Sequence, residues 1–530
     1  MANRIFGLSG SGMDVDQMVK DLMKARRTRY DAMYQKRVQL EWKKTDYTTM
    51  YTAIKDFDNI NSDFQLQSKL TPKKVVSSND SQVAVTALAD SANINHSIEV
   101  IQLATGVTKS STDGAGTASA IGSTVNKNTL ITQLGLTAAD LKDTDGDGVP
   151  DPVSITISDG TNEKTIEVDL TKSITEMVSQ INNAGLNIKA SYDTSLDMFF
   201  LSTTKTGADA AIKVTEDTVD TAGTKTLLGD LLKLGTMDGT SATGSAGQNA
   251  KVKLDGINME FSSNTFTVAG ITYTAKTETT SPVSVTVTPD IDQTVANVKE
   301  YVNKYNELLA KLYGEINEKK YSDFLPLTDA QKSEMSESEI KQWEEKAKSG
   351  MLSRDSTLRG LVEKMRSVFS STIGGVSGDY RTLSSIGITA TSYVTSDGGV
   401  NSLSLKEGGL LSVDETELKK ALEKDPDIAQ KLFATKSDTT GNNGFSVKLN
   451  LVLDDTVKSL QEVSGGSTLS MDNSNLGKQI TRYNEQLDAM LKRLEQEEER
   501  YYKQFSAMEV AISKLNQQSS WLSQYSSSGN

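Results

Sequence analysis

The residues best placed to do chemistry are a run of aspartates, Asp143-Thr144-Asp145-Gly146-Asp147-Gly148-Val149-Pro150-Asp151. Counted from Asp143, carboxylates stand at the first, third, fifth and ninth positions, and Gly148 falls at the sixth, where a calcium loop turns sharply. Asp143, Asp145, Asp147 and Asp151 are therefore candidate calcium ligands. The twelfth position departs from the EF-hand pattern, because Ser154 stands where a bidentate Glu belongs and no helix clearly follows. The run is closer to the aspartate-rich calcium turns of extracellular repeat proteins. The other reading is an acidic surface turn held by its own Asx hydrogen bonds. Outside a cell, a site of about 10⁻⁴–10⁻³ M affinity would fill. Such an ion would be structural, and no cofactor is required.

Little else in the chain points to catalysis. There is no cysteine, hence no disulfide, thiolate ligand or thiol nucleophile, and His96 is the only histidine. A Ser-His-Asp triad would have to use His96, and a multi-histidine metal site is impossible. His96 precedes an alternating stretch and reads as an ordinary strand or turn residue. Carboxylates abound, but none is singled out as a glycosidase pair, and 6% aromatic content is sparse for a sugar cleft. The expectation is a protein that is not an enzyme.

With 530 residues, the chain has length for about three or four domains. Its 36% hydrophobic and 24% charged content fits folded material. A net charge of −14 argues against nucleic acid as a partner. No run approaches the roughly 18 apolar residues of a membrane span, so no membrane insertion is expected. The N-terminus has no charged region leading into an apolar one, so export would proceed without a cleaved signal peptide. An absence of cysteine suits a reducing cytosol, and equally a chain threaded unfolded through a narrow channel.

The two ends are helical. Asp14 with Gln17 three residues later has the spacing of a capping box. Beyond it Met33, Leu40, Tyr47 and Ile54 recur every seven residues, as do Met50, Phe57 and Phe64. Arg26, Arg29, Lys36 and Lys43 interrupt that seam, which is poorly suited to a dry two-helix core. At the other end Ile480, Leu487, Leu494, Tyr501, Met508, Leu515 and Leu522 hold seven consecutive heptad positions, seconded by Leu491, Phe505 and Ile512. Basic residues crowd the first helix, and Glu495, Glu497, Glu498 and Glu499 mark the last. The ends are expected to pair with each other or with neighbouring copies; two unrelated solvated helices are the competing possibility. Leu487, Leu494, Tyr501, Phe505, Met508, Leu515 and Leu522 are the expected contacts for oligomer or filament.

Between the ends, from about Ser77 to Asp290, Thr, Ser, Val, Gly and Asp dominate and period-two alternation recurs, as in Val283-Ser284-Val285-Thr286-Val287. One helix interrupts these strands, capped by Ser173 with Glu176 three later. A mainly helical block follows from Val295 to about Phe369, with a charged insert at Asp329–Lys348. Leu383–Leu411 reads as extended, and Glu415–Phe433 as helical. The fold class is α+β and multidomain, with terminal helices forming a coiled-coil leg and stalk and β-rich head domains inserted between them, at the far end of the stalk. Residues 1–42 with 490–530 form the flexible helical leg. Residues 43–77 with 291–489 form the stalk, 78–108 with 247–290 a β-rich head domain, and 109–246 an outer head domain.

Several motifs then point to a family. Phe6-Gly7-Leu8-Ser9-Gly10-Ser11-Gly12-Met13-Asp14, with Val19, Leu22 and Met23, resembles the start of the flagellar hook-associated protein 2 family, the bacterial filament caps. Ile98-Glu99-Val100-Ile101-Gln102-Leu103-Ala104 is similar to its first head strand, and Ile174 through Ile181-Asn182-Asn183-Ala184-Gly185 to the "IN" motif of hook-associated proteins and flagellins. Ala250 to Gly256, Val302-Asn303-Lys304-Tyr305-Asn306, Leu383 to Ile388, Asp425-Pro426 and Gln504 to Glu509 fall in the family's order. The resemblance spans nearly the whole chain; the loop Asp143–Asp151 and the insert Asp329–Lys348 lie outside the shared core. It implies an extracellular protein, exported through the flagellar type III channel, that forms an annular homo-oligomer at the filament tip. Implied partners are flagellin, the hook–filament junction proteins and a cytoplasmic export chaperone. A flagellin or junction protein would share the terminal helices and the "IN" motif. A glycan- or mucin-binding adhesin working through the head domains is the third reading.

Overall fold

The structure, a computed structural model, describes residues 14–113, 117–122, 129–235, 246–376, 378–391, 409–465 and 472–527. The motif Phe6–Met13 and most of the segment read as extended between Leu383 and Leu411 lie outside these. The chain forms two compact units, Met1–Thr71 with Ile291–Asn530, and Pro72–Asp290.

In the helical unit, the first helix runs unbroken over Val15–Phe64. It starts at Val15 because Asp14, in extended conformation, accepts the Gln17 N–H at 2.9 Å. The reciprocal half of the expected capping box is not made: the Gln17 amide turns to Asp21 at 3.0 Å. The burial lies mainly in the second half of this helix, where Tyr47, Met50, Ile54, Phe57 and Phe64 face the core at helical spacing. Each such side chain contributes on the order of 1.5–3 kcal/mol when fully buried. They meet Tyr301, Tyr305, Leu308 and Leu312 of the helix Ile291–Asn317, and Leu449, Leu453 and Leu460 of the helix Phe445–Ser464. Phe64 stacks on Tyr301 with ring centroids 4.0 Å apart.

A polar knot fixes how these three helices slide against one another. Asn61 is fully buried; its Oδ1 accepts from the Tyr301 hydroxyl at 2.6 Å and from the Ser446 hydroxyl at 2.7 Å, while its Nδ2 donates to the Ser446 carbonyl at 3.0 Å. Shifting any helix by one residue would strand these groups in an apolar core. The charged insert packs as a brace. Its helices Asp329–Ser333 and Glu337–Lys348 each open with a complete capping box, on Thr328 and Ser336. Trp343 donates to the Leu325 carbonyl at 2.8 Å, and Gln35 of the first helix donates to the Pro326 carbonyl at 2.9 Å.

The β-rich unit contains two cores. β1 (Lys73–Ser77), β2 (Val83–Ala87) and β3 (Asn95–Gln102) lead in, followed by β4 (Thr108–Ser110). The middle holds β5 (Val153–Ser158), β6 (Glu163–Val168), β7 (Ile188–Asp193), β8 (Met198–Thr203) and β9 (Lys213–Glu216). The chain returns through β10 (Ala250–Leu254), β11 (Ile257–Phe261), β12 (Thr265–Val268), β13 (Ile271–Ala275) and β14 (Val283–Pro289). An antiparallel sheet of order β1-β14-β3-β10-β11 and another of order β12-β13-β2 share one core, whose inward positions include Ile98, Val100, Val285, Phe266 and Tyr273. The sheets β4-β8-β7 and β6-β5-β9, with the helix Ile174–Asn183, enclose the second. Ser173 caps that helix as expected, accepting the Glu176 N–H at 3.2 Å. The boundary expected at residue 77 falls earlier: Lys73–Ser77, assigned from sequence to the stalk, pairs in register with β14, Lys73 opposite Pro289. The two connections to the helical unit therefore lie side by side.

A carboxylate anchors the second core. Asp159, buried at the end of β5, accepts from the backbone N–H groups of Thr161 (2.9 Å), Asn162 (2.7 Å) and Asn187 (3.0 Å) and from the Asn187 amide (2.8 Å). Burial opposes its ionisation, but the donors of Asn162, Asn187 and Thr161 outweigh it and hold the carboxyl well below its usual range.

Two predictions follow from these anchors. Replacing Asn61→Leu takes from the buried Tyr301 hydroxyl its Asn61 acceptor and leaves the Ser446 hydroxyl only the backbone carbonyl of residue 61, and should lower stability by about 1–3 kcal/mol. An unchanged urea midpoint, read at the helical circular dichroism band, would refute the role given to the knot. Asp159 has a depressed folded pKa, so its contribution is present above its unfolded value of about 3.9 and is lost as pH falls toward the folded one. In the wild type, the β-rich unit should lose stability progressively below about pH 4. Asp159→Asn should be less stable at pH 7 by about 2 kcal/mol and show a flatter acid profile; identical acid profiles would exclude Asp159 as the anchor.

Candidate functional site in the paired terminal helices

The last helix spans Asn475–Ser527 and lies antiparallel against the first. Contacts mark the register. Lys44 meets Asp472 at 2.5 Å, the Arg37 guanidinium donates to the Asn484 side-chain oxygen at 3.5 Å, and Arg26 lies 3.8 Å from Glu497. Arg26 also donates to the Tyr501 hydroxyl at 3.5 Å, and the Tyr502 hydroxyl donates to Asp16 at 3.0 Å. The terminal helices thus pair within one chain.

The apolar seam fades along this pairing. Leu487 is buried, and Leu494, Tyr501 and Phe505 are half-buried. Met508, Leu515 and Leu522 are exposed, the last two at 61% and 62%. The reason is length. Asp16, near the start of the described first helix, meets Tyr502, and the last helix continues for about 25 residues beyond that point, roughly 37 Å at 1.5 Å per residue. Val510 and Trp521 are also exposed on this extension. A seven-residue apolar repeat kept on an exposed helix is a face shaped for another surface.

The basic residues at the first helix's seam split in behaviour. Arg26 is engaged by Glu497 and Tyr501, and Lys43 lies over the Tyr47 ring at 5.6 Å. Arg29 and Lys36 have no ion pair among the described residues. Arg26, Arg29, Met33, Met490, Arg493 and Leu494 line a groove of about 510 Å³ between the helices. Because these charges are largely exposed, their pairing is screened by solvent and holds the helices weakly. Sequence reasoning anticipated the interruption of the seam. It missed Asp16, and it counted Arg37 and Lys44 among the basic residues of the first helix without their partners Asn484 and Asp472, which lie outside the glutamate cluster and which only the antiparallel register could reveal.

The aspartate loop is partly gathered. Carboxylate oxygens of Asp143, Asp145 and Asp151 lie within 4.8 Å of one another, but Asp147 is not in that group. Asp147 instead accepts the Val149 N–H at 2.7 Å. Asp143 accepts from Gly148 and Gly146, at 2.9 and 2.8 Å, and these backbone donors hold its carboxyl below the usual range. Asp151 accepts from the Thr144 N–H and hydroxyl. The Asx turns of the surface-turn reading are present, and they occupy oxygens that a cation would need. His96 sits in β3 with Nδ1 2.5 Å from Asp255, at the β10–β11 turn, and serves as a strand-to-turn tie.

Comparison with known proteins agrees with this geometry. The chain matches the family model described as "Flagellar hook-associated protein 2 C-terminus" over residues 247–517, and that of the N-terminus over residues 11–107. A flagellar hook-associated protein 2 of Halalkalibacterium halodurans is 28% identical over 98% of this chain and 99% of its own length. That of Escherichia coli K12 is 25% identical over 97% and 96%. The crystal structure of the D1-D2-D3 domains of the flagellar cap protein FliD from Escherichia coli, 20% identical, superposes with a TM-score of 0.51, covering 83% of this chain and 99% of that one, and shares its fold. With both ends and the β-rich return strands matched, the chain belongs to the flagellar hook-associated protein 2 family.

Proposed function

We propose that this protein is the structural cap at the tip of the bacterial flagellar filament, where it promotes folding and insertion of exported flagellin and prevents its loss. The observation that carries this reading is the last helix. The chain belongs to a family of filament caps, and its last helix bears an apolar heptad face that the described residues leave exposed at Met508, Leu515 and Leu522. In this reading, Met508, Leu515 and Leu522 contact the filament or a neighbouring copy, and the copies close into a ring. Closure into a ring requires a head-to-tail interface whose rotation returns on itself. Flagellin and the hook–filament junction proteins are the extracellular partners, and a chaperone protects the apolar face before export. No described helix is long and apolar enough to cross a membrane. The family models matched are those of hook-associated protein 2, not of flagellin, which favours a cap over a filament subunit.

The pairing of the terminal helices suits legs that rebind as subunits add. A short buried seam around Leu487 sets the register, and weak exposed ion pairs such as Arg26–Glu497 guide the rest.

Cells lacking the native gene, supplied with the full chain, should make filaments, whereas a chain ending at Met508 should release flagellin monomers into the medium. That truncation keeps the pairing through Tyr502, so normal filaments from it would remove the exposed face from the function. Replacing Arg26, Arg29 and Lys36 together by Leu should stiffen the pair and impair filament growth; unaltered motility in the triple variant would count against mobile legs. Electron microscopy of the purified protein should show closed rings, and open filaments would point to a filament subunit instead.

A further inference from the structure

The chain passes between the two cores of the β-rich unit twice, outward through residues 103–107 after β3 and back through residues 246–249 before β10. Two such connections alone would make a hinge, because each residue in them keeps two soft backbone dihedrals. Here the connections bond to each other. Thr105 donates its N–H to the Gln248 carbonyl at 2.9 Å, and its carbonyl accepts the Gln248 N–H at 3.1 Å.

A third segment meets them without being a connection itself. Residues 204–210 belong to the outer core, between β8 and β9, yet they reach the turn between β11 and β12 of the inner core. The Thr206 hydroxyl donates to the Ser262 carbonyl at 2.7 Å, and the Ala208 N–H to the Asn249 side-chain oxygen at 2.8 Å. Gly207 donates its N–H to the Thr105 carbonyl at 3.1 Å, and Gly247 to the Ala210 carbonyl at 2.7 Å. From the same turn, the Asn264 amide donates to the Ala104 carbonyl at 2.9 Å and accepts the Ala104 N–H at 2.7 Å, as a neighbouring strand would.

The fit at this crossing needs two glycines, both buried. A Cβ on Gly247 would overlap the Thr105 carbonyl oxygen and stand 2.5 Å from that of Gly207. On Gly207 it would stand 2.7 Å from Ser262 Cβ and 2.9 Å from the Ser262 carbonyl oxygen, and Gly207 has φ of +103°, which side chains rarely adopt. Backbone therefore lies directly on backbone. Turning the outer core would break the Thr206–Ser262 and Ala208–Asn249 bonds together and lift Gly207 from Ser262. It would also leave backbone groups of buried Gly207 and Gly247 without partners. We infer that the two β cores move as one rigid body, with residues 204–210 as a brace that converts a two-strand hinge into a fixed joint. A partner that touches both cores then meets one surface of constant shape.

The absence of cysteine makes the joint measurable. Spin labels at Lys164→Cys on β6 and Lys251→Cys on β10, both exposed, report the separation of the cores in the full-length protein. Double electron–electron resonance should give a single narrow distance. Thr206→Val combined with Asn249→Ala removes two bonds of the brace and adds no bulk, and should cause loss of that narrow distance. Gly247→Ala, which forces the Thr105 and Gly207 carbonyls apart, should do the same. Amide exchange at Ile155 and Val285, one in each core, should match the wild type, so that a loosened joint is distinguished from an opened core. If Gly247→Ala opens a core, the Thr206→Val/Asn249→Ala variant decides alone. A broad distance with the joint intact, or a narrow one that survives in the double variant, would overturn the brace.

Discussion

Phe64 stacks on Tyr301 while Asn61, three residues earlier, takes up the Tyr301 hydroxyl. That pair of contacts, apolar and polar on adjacent turns, ties the first helix to the helix Ile291–Asn317, although the whole β-rich insertion separates them in sequence. The stacking alone would tolerate sliding, because flat aromatic contacts are forgiving. The hydrogen bonds to Asn61 are not, because each misplaced hydroxyl would be left unsatisfied in a dry core. Register set at this knot extends along a continuous helix to residue 15, and so determines which turn of the first helix meets which turn of the last. The pairing of Arg26 with Glu497 and of Asp16 with Tyr502 is therefore a consequence of packing far down the same helix.

Insertion of more than two hundred residues into a helical unit is compatible with that knot only if the chain returns near to where it left. The pairing of β1 with β14 secures the return, since Lys73 stands opposite Pro289. The unit is then free to hold its own cores, with Asp159 gathering four donors at one and the His96–Asp255 tie securing a hairpin turn at the other. Neither core borrows side chains from the helical unit.

Patterns with a period were legible in the sequence, and contacts without one were not. The heptads at both ends, the alternation in β3, β5 and β14, and the Ser173 cap all rest on local spacing, and the structure carries each of them. The capping box at Asp14 was legible only by half, because Gln17 had Asp21 one turn on as a better partner. The strand Lys73–Ser77 was misplaced because its two lysines and two valines resemble the end of an amphipathic helix as much as an edge strand. The aspartate loop keeps features of both readings made of it. Spacing brought Asp143, Asp145 and Asp151 together, but backbone N–H groups compete for the same oxygens, and Asp147 satisfies Val149 instead. Asn61 carried no sequence signal, since its significance lies in Tyr301 and Ser446, partners distant along the chain.

The gradient of burial along the last helix connects these features to function. If the whole heptad face from Leu487 to Leu522 were covered within one chain, the helix would be stable and inert. If none were covered, a 53-residue helix with an exposed apolar stripe would associate indiscriminately. Among the described residues the first helix covers the last as far as Tyr502, beyond which Met508, Leu515 and Leu522 are exposed. Charge reinforces the division. The ion pairs lie on the covered part, where attractions weakened by solvent screening can align the helices without locking them. The exposed part has mainly apolar and small polar residues, and its affinity would come from the area it buries against a partner.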